Sequence, residues 1–442
     1  MNVGVTIAED NTTRARQPWG VYIFLLVVFG IVSFDFWMSV NYVERKDQTV
    51  EAKLEESVEL TEAGNVRRQA VLLVLGVVAA ASLLRRERNR LSANGALAGL
   101  IVFFVAWSWA SVLWSYDESL TLRRVVILAI LLLAALAAAE RLTFRNIIQF
   151  AFISGCVTVV VGLAAELALG MFRPWDLEYR FAGVMNPIFQ GAHCGMTAVA
   201  GLVLAHGEKR HRRFYLIVAG VALFFMLLTR SRGPAGATIA ALVVYGWAVR
   251  PPFRKVAALG MAAVIVVLAF PSLRGGLLST TEDALLFGRT VESAYEMQGR
   301  DALWRECLKY AGQRPVLGYG YDGFWTRDFT FALTDASGFT SQHTHNAFLD
   351  LLLGVGLPGA LAYVLIFVIV MKQLISRYRQ SGSIDYAAAL ALVVLYVIHN
   401  LFVSVQLATQ LQTFVVLVVV MKLAFTPAPE AETEVADGPA CR

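Results

Sequence analysis

The chain has 442 residues, of which 57% are hydrophobic and only 16% are charged. Soluble domains carry about 25% charged residues, so this composition indicates an integral membrane protein. The net charge of +5 comes from short basic clusters between apolar segments, which argues against a nucleic-acid partner, and the 4 cysteines form no CxxC pair that would suggest a metal site or a disulfide framework.

The apolar segments predict an all-α integral membrane protein with about 12 transmembrane helices. The predicted spans are 19–41, 70–84, 93–114, 124–139, 146–170, 184–205, 214–229, 233–249, 256–270, 346–371, 385–403 and 408–425. Residues 1–18 lack a cleavable signal pattern and are expected to form a cytoplasmic tail before a polytopic domain at 19–425. Residues 426–442 are poor in apolar side chains and are predicted to be a disordered cytoplasmic tail.

Basic residues in the short loops predict the orientation of the spans. With the N-terminus inside, the short cytoplasmic loops hold 16 Lys or Arg, and the short loops of the opposite side hold 6. Cytoplasmic loops are enriched in Lys and Arg, so both chain ends are expected inside the cell.

Two longer segments are then expected outside. Residues 41–69 are acid-rich, and residues 271–344 form a segment between the ninth and tenth spans that is too long to be a plain connector. Within the latter, residues 300–312 show helical spacing of apolar side chains, and the Gly- and aromatic-rich stretch 315–325 predicts a shaped loop.

Two arginines interrupt the predicted outer hairpin between the seventh and eighth spans. Arg230 and Arg232 stand in LLTRSRGPAGA, where the small residues Gly233 and Gly236 follow closely. Basic residues are under-represented on this side, so an anionic ligand explains Arg232 better than orientation does. Arg230 is a weaker candidate, because it can instead extend its head group to the interface.

A histidine-rich turn runs into the tenth span. Gly356 and Gly359 follow His345 by 11 and 14 residues, which on a continuous helix returns them to within roughly 40° of its stripe. We expect His345 in the first turn of that helix, where the positive end of the helix dipole keeps the imidazole neutral, as a general base requires.

Other polar residues in this region have a simpler structural explanation. Sequence alone favours a solvated surface charge for Arg300, although it opens the helix predicted before the tenth span. His193 and His399 lie inside apolar segments and are expected to be satisfied core residues. Asp35 and Glu166 are intramembrane candidates, but each stands alone in the sequence.

Several motifs follow one another along the chain: RFAGVMNPIFQGAHCG at 180–195, SRG at 231–233, GR…W at 299–304, P…LGYGYDGFW at 315–325, and His345-Asn346 followed by Gly356 and Gly359. Together with the layout of spans, they resemble the bacterial O-antigen ligase superfamily, which also contains Wzy-type O-antigen polymerases and exopolysaccharide polymerases. The match to the first motif is loose and assigns no role to Asn186 or His193.

The resemblance implies a GT-C-type membrane glycosyltransferase of the bacterial inner membrane with a periplasmic active site. Its donor would be a glycan on undecaprenyl diphosphate, and transfer to a glycan or lipid A core acceptor would invert the anomeric centre. The family's essential arginines map onto Arg232 and Arg300 and its essential histidine onto His345. Besides membrane lipids and these substrates, no metal, cofactor or nucleic acid is expected. The predicted substrate-binding residues are Arg230, Arg180, His343 and Asn346.

Three functions stay open at this point. A ligase and a polymerase differ only in the acceptor, and acceptor contacts are not readable from the sequence. A glycan transporter or flippase is the alternative from another class, although no internal repeat and few charges at mid-membrane depth support it. A non-catalytic scaffold of a polysaccharide export complex is the third.

Overall fold

The computed structural model describes residues 18–39, 65–85, 92–176, 179–249, 292–338, 341–404 and 409–427. The predicted span at 256–270, nearly all of both predicted tails, most of the 41–69 segment and the first part of the 271–344 segment lie outside the described residues. So does the side chain of Asp35. Within the described ranges all regular secondary structure is helical.

The described residues form thirteen α-helices. The first eight are α1 Trp19–Ser39, α2 Val66–Leu84, α3 Gly95–Ala110, α4 Glu118–Arg141, α5 Phe144–Ala168, α6 Pro187–Gly207, α7 Arg212–Leu228 and α8 Arg232–Val249. A short 3-10 turn, Ser111–Trp114, continues α3. The last five are α9 Glu292–Gln313, α10 Arg327–Ser337, α11 Ala347–Ser381, α12 Ile384–His399 and α13 Leu411–Phe425.

The all-helical membrane fold expected from the sequence is confirmed at this level. A helix occupies every predicted span that falls within the described residues. Six helices are long and apolar enough to cross a membrane: α2, α3 with its 3-10 turn, α4, α5, α6 and α11. The helices α12 and α13 are apolar but shorter. The total of twelve spans and the sidedness of the termini stay predictions.

Polar residues at the helix starts explain where several spans begin. Asp117 caps α4 by accepting from the Leu120 amide, and Thr143 with Asn146 forms a capping box at α5. Asn186 caps α6, with a proline at the first helical position, and Asn346 caps α11 through the amides of its first turn. Each such cap supplies about 1 kcal/mol of helix stability and sets the register of the span behind it.

Contacts between helix ends define two ends of the bundle. At one end, the Asn94 side chain donates to the Leu423 and Thr426 carbonyls at 2.8 Å, and Arg145 lies 3.7 Å from Asp385. The other end is called the His345 end. Its contacts include Phe181 N–H to the Leu228 carbonyl (2.9 Å), Tyr116 N–H to the Tyr319 carbonyl (3.1 Å) and Ala347 N–H to the Asn400 carbonyl (2.9 Å).

The long helix α11 is broken at Gly356, where φ is 64° and ψ is −171°. A Cβ at this position would lie 2.1 Å from the Val316 carbonyl oxygen, so only glycine fits the close approach of the 314–325 segment. The break frees backbone groups that bond elsewhere: the Trp107 ring N–H donates to the Val355 carbonyl, and Leu357 N–H donates to the Pro315 carbonyl, both at 2.8 Å.

The helices α9 and α10 dock on the first half of α11 through an apolar cluster of their own. Phe324 stacks on Phe329 with ring centroids 4.7 Å apart, and Tyr310 meets Phe324 edge-on at 5.5 Å. Aromatic pairs of this kind each supply about 0.5–1.5 kcal/mol beyond their buried area. The remaining buried members of the cluster are Leu303, Cys307, Ala311, Tyr319, Trp325, Leu333 and Leu353, and the partly buried Leu349 and Leu352 pack against them.

Candidate functional site

His345 lies in the turn that precedes α11, one residue before the N-cap Asn346, in the left-handed region with φ 57°. The expectation of a position in the first helical turn is wrong, because the Asn346 side chain takes the capping place and starts the helix after it. The helical-stripe argument that linked His345 to Gly356 and Gly359 also fails, since His345 is not helical and the helix breaks at Gly356.

The turn is held by bonds to Thr344. Its hydroxyl donates to the Asn346 carbonyl at 2.7 Å and accepts from the Asn346 amide at 3.1 Å. Its carbonyl accepts from the ring N–H of Trp304 in α9 at 2.7 Å. These bonds fix the backbone on one side of His345, and they tie it to the helix that carries Arg300.

The Asp350 carboxylate accepts hydrogen bonds from three separate segments next to this turn. It accepts from the Thr344 amide and from the Trp325 ring N–H, both at 3.0 Å, and from the Ser404 hydroxyl. The side chain is buried, with 6% exposed. Asp350 was not among the residues predicted from the sequence; the available signal was an acidic residue in the first turn of an otherwise apolar span.

The two histidines of the turn form a pair beside Arg300. Their ring centroids lie 4.1 Å apart, and His345 Nε2 lies 3.3 Å from the Ser341 hydroxyl. Burial, with a smaller contribution from the Arg300 guanidinium, lowers the pKa of His343 to about 4. Burial, His343 and Arg300 lower the pKa of His345 further. Both imidazoles are therefore neutral near pH 7.

Arg300 is thus no isolated surface charge, although sequence alone favoured that interpretation. It lies one helical turn before Trp304 in α9, on the same face, and its charge acts on both histidines. A guanidinium can bind an anion, and a neutral imidazole beside it can accept a proton from a hydroxyl group.

Arg232 is the first residue of α8, in the hairpin that follows α7. Arg180 holds this hairpin: its Nε donates to the Thr229 carbonyl and its Nη2 donates to the Ser231 hydroxyl, both at 3.1 Å. Arg230 has φ 48° and reaches the Asp176 carbonyl at 3.5 Å. The structure thus gives Arg180 a positioning contact to the hairpin, while Arg230 extends toward the 171–176 segment.

Glu166, which stands alone in the sequence, has three partners in the fold. Its carboxylate accepts from the amides of Ala182 and Gly183, both at 2.8 Å, and from the Tyr179 hydroxyl. Each charge-assisted bond of this kind is worth about 1.5–3 kcal/mol. Glu166 therefore anchors the segment that carries Arg180.

The 399–404 turn joins the Arg232 part of the site to the His345 part. A Cβ on Gly233 would lie 3.3 Å from the Phe402 side chain, and the Asn400 carbonyl accepts from the Ala347 amide at 2.9 Å. Arg232 and His345 thus flank the same turn at the His345 end. His193 and His399 are both buried, as predicted, but they are not fully satisfied. His193 Nδ1 lies 2.9 Å from the Phe189 carbonyl, whereas its Nε2 and both ring nitrogens of His399 are buried with no hydrogen-bond partner among the described residues.

Asn346, a predicted substrate-binding residue, is the N-cap of α11. Both amides that the Asn346 side chain bonds, those of Phe348 and Leu349, belong to α11, so the structure gives this residue a capping role, and substrate contact stays a prediction. Among the described residues, His, Cys, Asp and Glu side chains form no group of three or more that could hold a metal ion.

Parts of the chain are similar in sequence to known proteins. Residues 214–364 match the family model Wzy_C, described as O-Antigen ligase, and this range contains Arg232, Arg300 and His345. The chain is 26% identical over 312 residues to "Exopolysaccharide production protein ExoQ" of Rhizobium meliloti (strain 1021), covering 64% of this chain and 67% of that protein. These similarities confirm the resemblance predicted from the motifs: residues 214–364 are similar to the O-antigen ligase family, and most of the chain is similar to an exopolysaccharide production protein.

Proposed function

We propose that the chain is a glycosyltransferase of the bacterial inner membrane that moves a glycan from undecaprenyl diphosphate to an acceptor hydroxyl at the periplasmic face. The neutral His343–His345 pair beside Arg300 carries this proposal. The family match and the similarity to an exopolysaccharide production protein support the ligase or polymerase class of activity.

In this proposal the donor diphosphate binds between Arg232 and Arg300. The leaving group carries two or more negative charges, and guanidiniums hold phosphate oxygens in pairs of parallel hydrogen bonds. Such donors also stabilise the charge that grows on the diphosphate oxygen as the glycosidic bond breaks. This role would make the reaction independent of a divalent metal.

His345 is the proposed general base. The acceptor oxygen bonds to the anomeric carbon, its proton passes to the imidazole, and the bond from that carbon to the diphosphate oxygen breaks with the electron pair leaving on the diphosphate. One displacement of this kind inverts the anomeric centre.

The low pKa of His345 fits this role once substrate is present. Burial lowers the pKa of His345 most, and Arg300 makes the smallest of the three contributions; an anionic diphosphate bound to Arg300 offsets that contribution. The pKa of the His345 imidazole therefore rises when the donor binds. Before the donor binds, the imidazole is unprotonated and can accept a proton.

The two candidate activities, ligase and polymerase, differ in the acceptor that they use. The family description favours a ligase that uses a lipid A core, and the relative's name favours a polymerase that extends an exopolysaccharide. Twelve spans with both termini in the cytoplasm would place the His345 end at the periplasmic face in either case.

Reconstitution tests the proposal. The purified protein in liposomes would receive a synthetic carrier-linked repeat unit with either a lipid A core or a second carrier-linked chain. We expect a new glycosidic bond of inverted configuration on one of the two acceptors. Movement of the carrier-linked glycan between leaflets with no new bond would contradict the enzyme and favour a flippase.

A further inference from the structure

A second cationic cluster lies at the His345 end, outside the residues assigned above. Arg124 of α4 forms an ion pair with Asp322, with Nε 3.3 Å from Oδ2. Arg68 of α2 lies within electrostatic range of both groups, attracted by Asp322 and repelled by Arg124. The helices α2 and α4 pack against each other, so their N-terminal turns present both arginines together.

The Arg68 side chain is only partly satisfied by the protein. Its Nη2 donates to the Thr409 hydroxyl, and its Nε is buried and has no hydrogen-bond partner within the described part of the chain. A buried charged donor without a partner carries a larger desolvation cost than a neutral one. Two guanidiniums facing one carboxylate also leave an excess positive charge at this place.

The cluster is open to a ligand from outside. The side chains of Arg124 and Asp322 are 32% and 36% exposed, so the ion pair is at the surface, and Arg68 is partly buried. Asp322 itself is held in the left-handed region at φ 53° by the glycine-rich 314–325 segment. The turn thus places the Asp322 carboxylate against the Arg124 guanidinium, and the Arg68 guanidinium is close enough to interact with it electrostatically.

The cluster adjoins the candidate active site but is built from other helices. Trp325, three residues after Asp322, donates to Asp350, and Asp350 holds the Thr344 amide beside His345. The proposed donor-binding arginines come from α8 and α9, whereas Arg68 and Arg124 come from α2 and α4. A substrate held at each place would approach the histidine turn from a different side.

We propose that Arg68 and Arg124 bind a phosphate group of the acceptor substrate, as a second site that is separate from the donor diphosphate site. The proposal rests on the proposed function, since it names the acceptor's anchor. Its ligand class is a lipid-borne phosphate or diphosphate, which a phosphorylated lipid core and a carrier-linked chain both carry. Two guanidiniums match such a group in charge and in hydrogen-bond geometry.

Binding of farnesyl diphosphate to the full-length protein in detergent tests the site without turnover. We expect two equivalents per chain for the wild type and one for the double variant Arg68→Gln/Arg124→Gln. Arg67→Gln removes an exposed guanidinium from the same helix turn and should keep two. An unchanged stoichiometry in a double variant that remains folded, judged by size exclusion and thermal unfolding, would overturn the proposal.

Two further arms separate the possible outcomes. Arg124→Gln alone changes only a half-exposed side chain and keeps the test available if the double variant does not fold; it should weaken the second equivalent at least about tenfold, by the strength of one lost charge-assisted pair. Equal competition by inorganic pyrophosphate and farnesyl diphosphate at this site would contradict a lipid-borne ligand.

Kinetics then connect the site to the acceptor. Where the wild-type protein shows glycan transfer, the double variant should have a higher KM for the acceptor and an unchanged KM for the donor. A rise in the donor KM alone would overturn the acceptor assignment. If no transfer occurs but the stoichiometry falls to one, the proposed function fails while the phosphate site stands.

Discussion

Asp350 offers a test of how the histidine turn is held, because alanine and asparagine should have very different effects. Asp350→Ala leaves the Thr344 amide and the Trp325 ring N–H without their buried acceptor. At about 1–3 kcal/mol for each unsatisfied donor, the expected loss is about 2–6 kcal/mol of local stability. The turn that carries His345 would then shift, and a displacement of 1 Å can lower the rate about 10²-fold.

Asp350→Asn keeps the important geometry. Thr344 and Trp325 both donate to the same oxygen, Oδ1, which the amide retains, and the new amide N–H₂ can donate to the Ser404 hydroxyl. We therefore expect single-turnover glycan transfer by Asp350→Asn within about tenfold of the wild type. If Asp350 acted as a base in the chemistry, asparagine would be as damaging as alanine.

The assay is transfer in liposomes with saturating donor, read beside thermal unfolding of each variant. Trp304→Phe removes one 2.7 Å bond to the Thr344 carbonyl and tests the same turn from the α9 side if Asp350→Ala does not fold. Equal rates for Asp350→Ala and the wild type in folded protein would refute the positioning role.

Three other expectations concern pH, the α11 break and metal. Because the pKa of His345 is lowered, its base form persists well below the ordinary histidine value, so kcat/KM, which reports the free enzyme, should stay flat from pH 8 to about 5; an acid limb centred near 6.5 would contradict this. Gly356→Ala, whose Cβ would meet the Val316 carbonyl, should lower the thermal unfolding temperature, whereas Gly220→Ala, with no atom near its Cβ, should not; equal midpoints would disprove the close approach. A chelator should leave the transfer rate unchanged, and a loss that added Mg²⁺ restores would argue against the arginine mechanism.

Sequence patterns predicted the helices of this protein well, because spans such as α5 and α6 are long apolar runs with polar caps at their starts. Those patterns did not predict the break in α11. A glycine in an apolar span has many explanations, and the close approach of the Val316 carbonyl depends on how the 314–325 segment folds back.

The motifs named candidate residues for the site, but they did not indicate which residues hold those candidates in place. His345 and Arg300 stood out by motif, yet the left-handed turn depends on Thr344 and Asp350, whose bonds join segments distant in sequence. Likewise, the structural role of Glu166 depends on the packing of the 179–183 segment against it. Such long-range polar contacts follow from tertiary packing, which local periodicity does not report.

The most direct measurement is single-turnover glycan transfer by Arg300→Ala compared with Arg305→Ala. Both changes remove a guanidinium from α9, but Arg305 is exposed, while the Arg300 charge acts on His343 and His345. We predict a rate about 10²–10³-fold below the wild type for Arg300→Ala, as for loss of one donor to a developing charge. Arg305→Ala should transfer at the wild-type rate. Equal rates for the two folded variants would contradict a catalytic centre built from Arg300 and the neutral histidine pair.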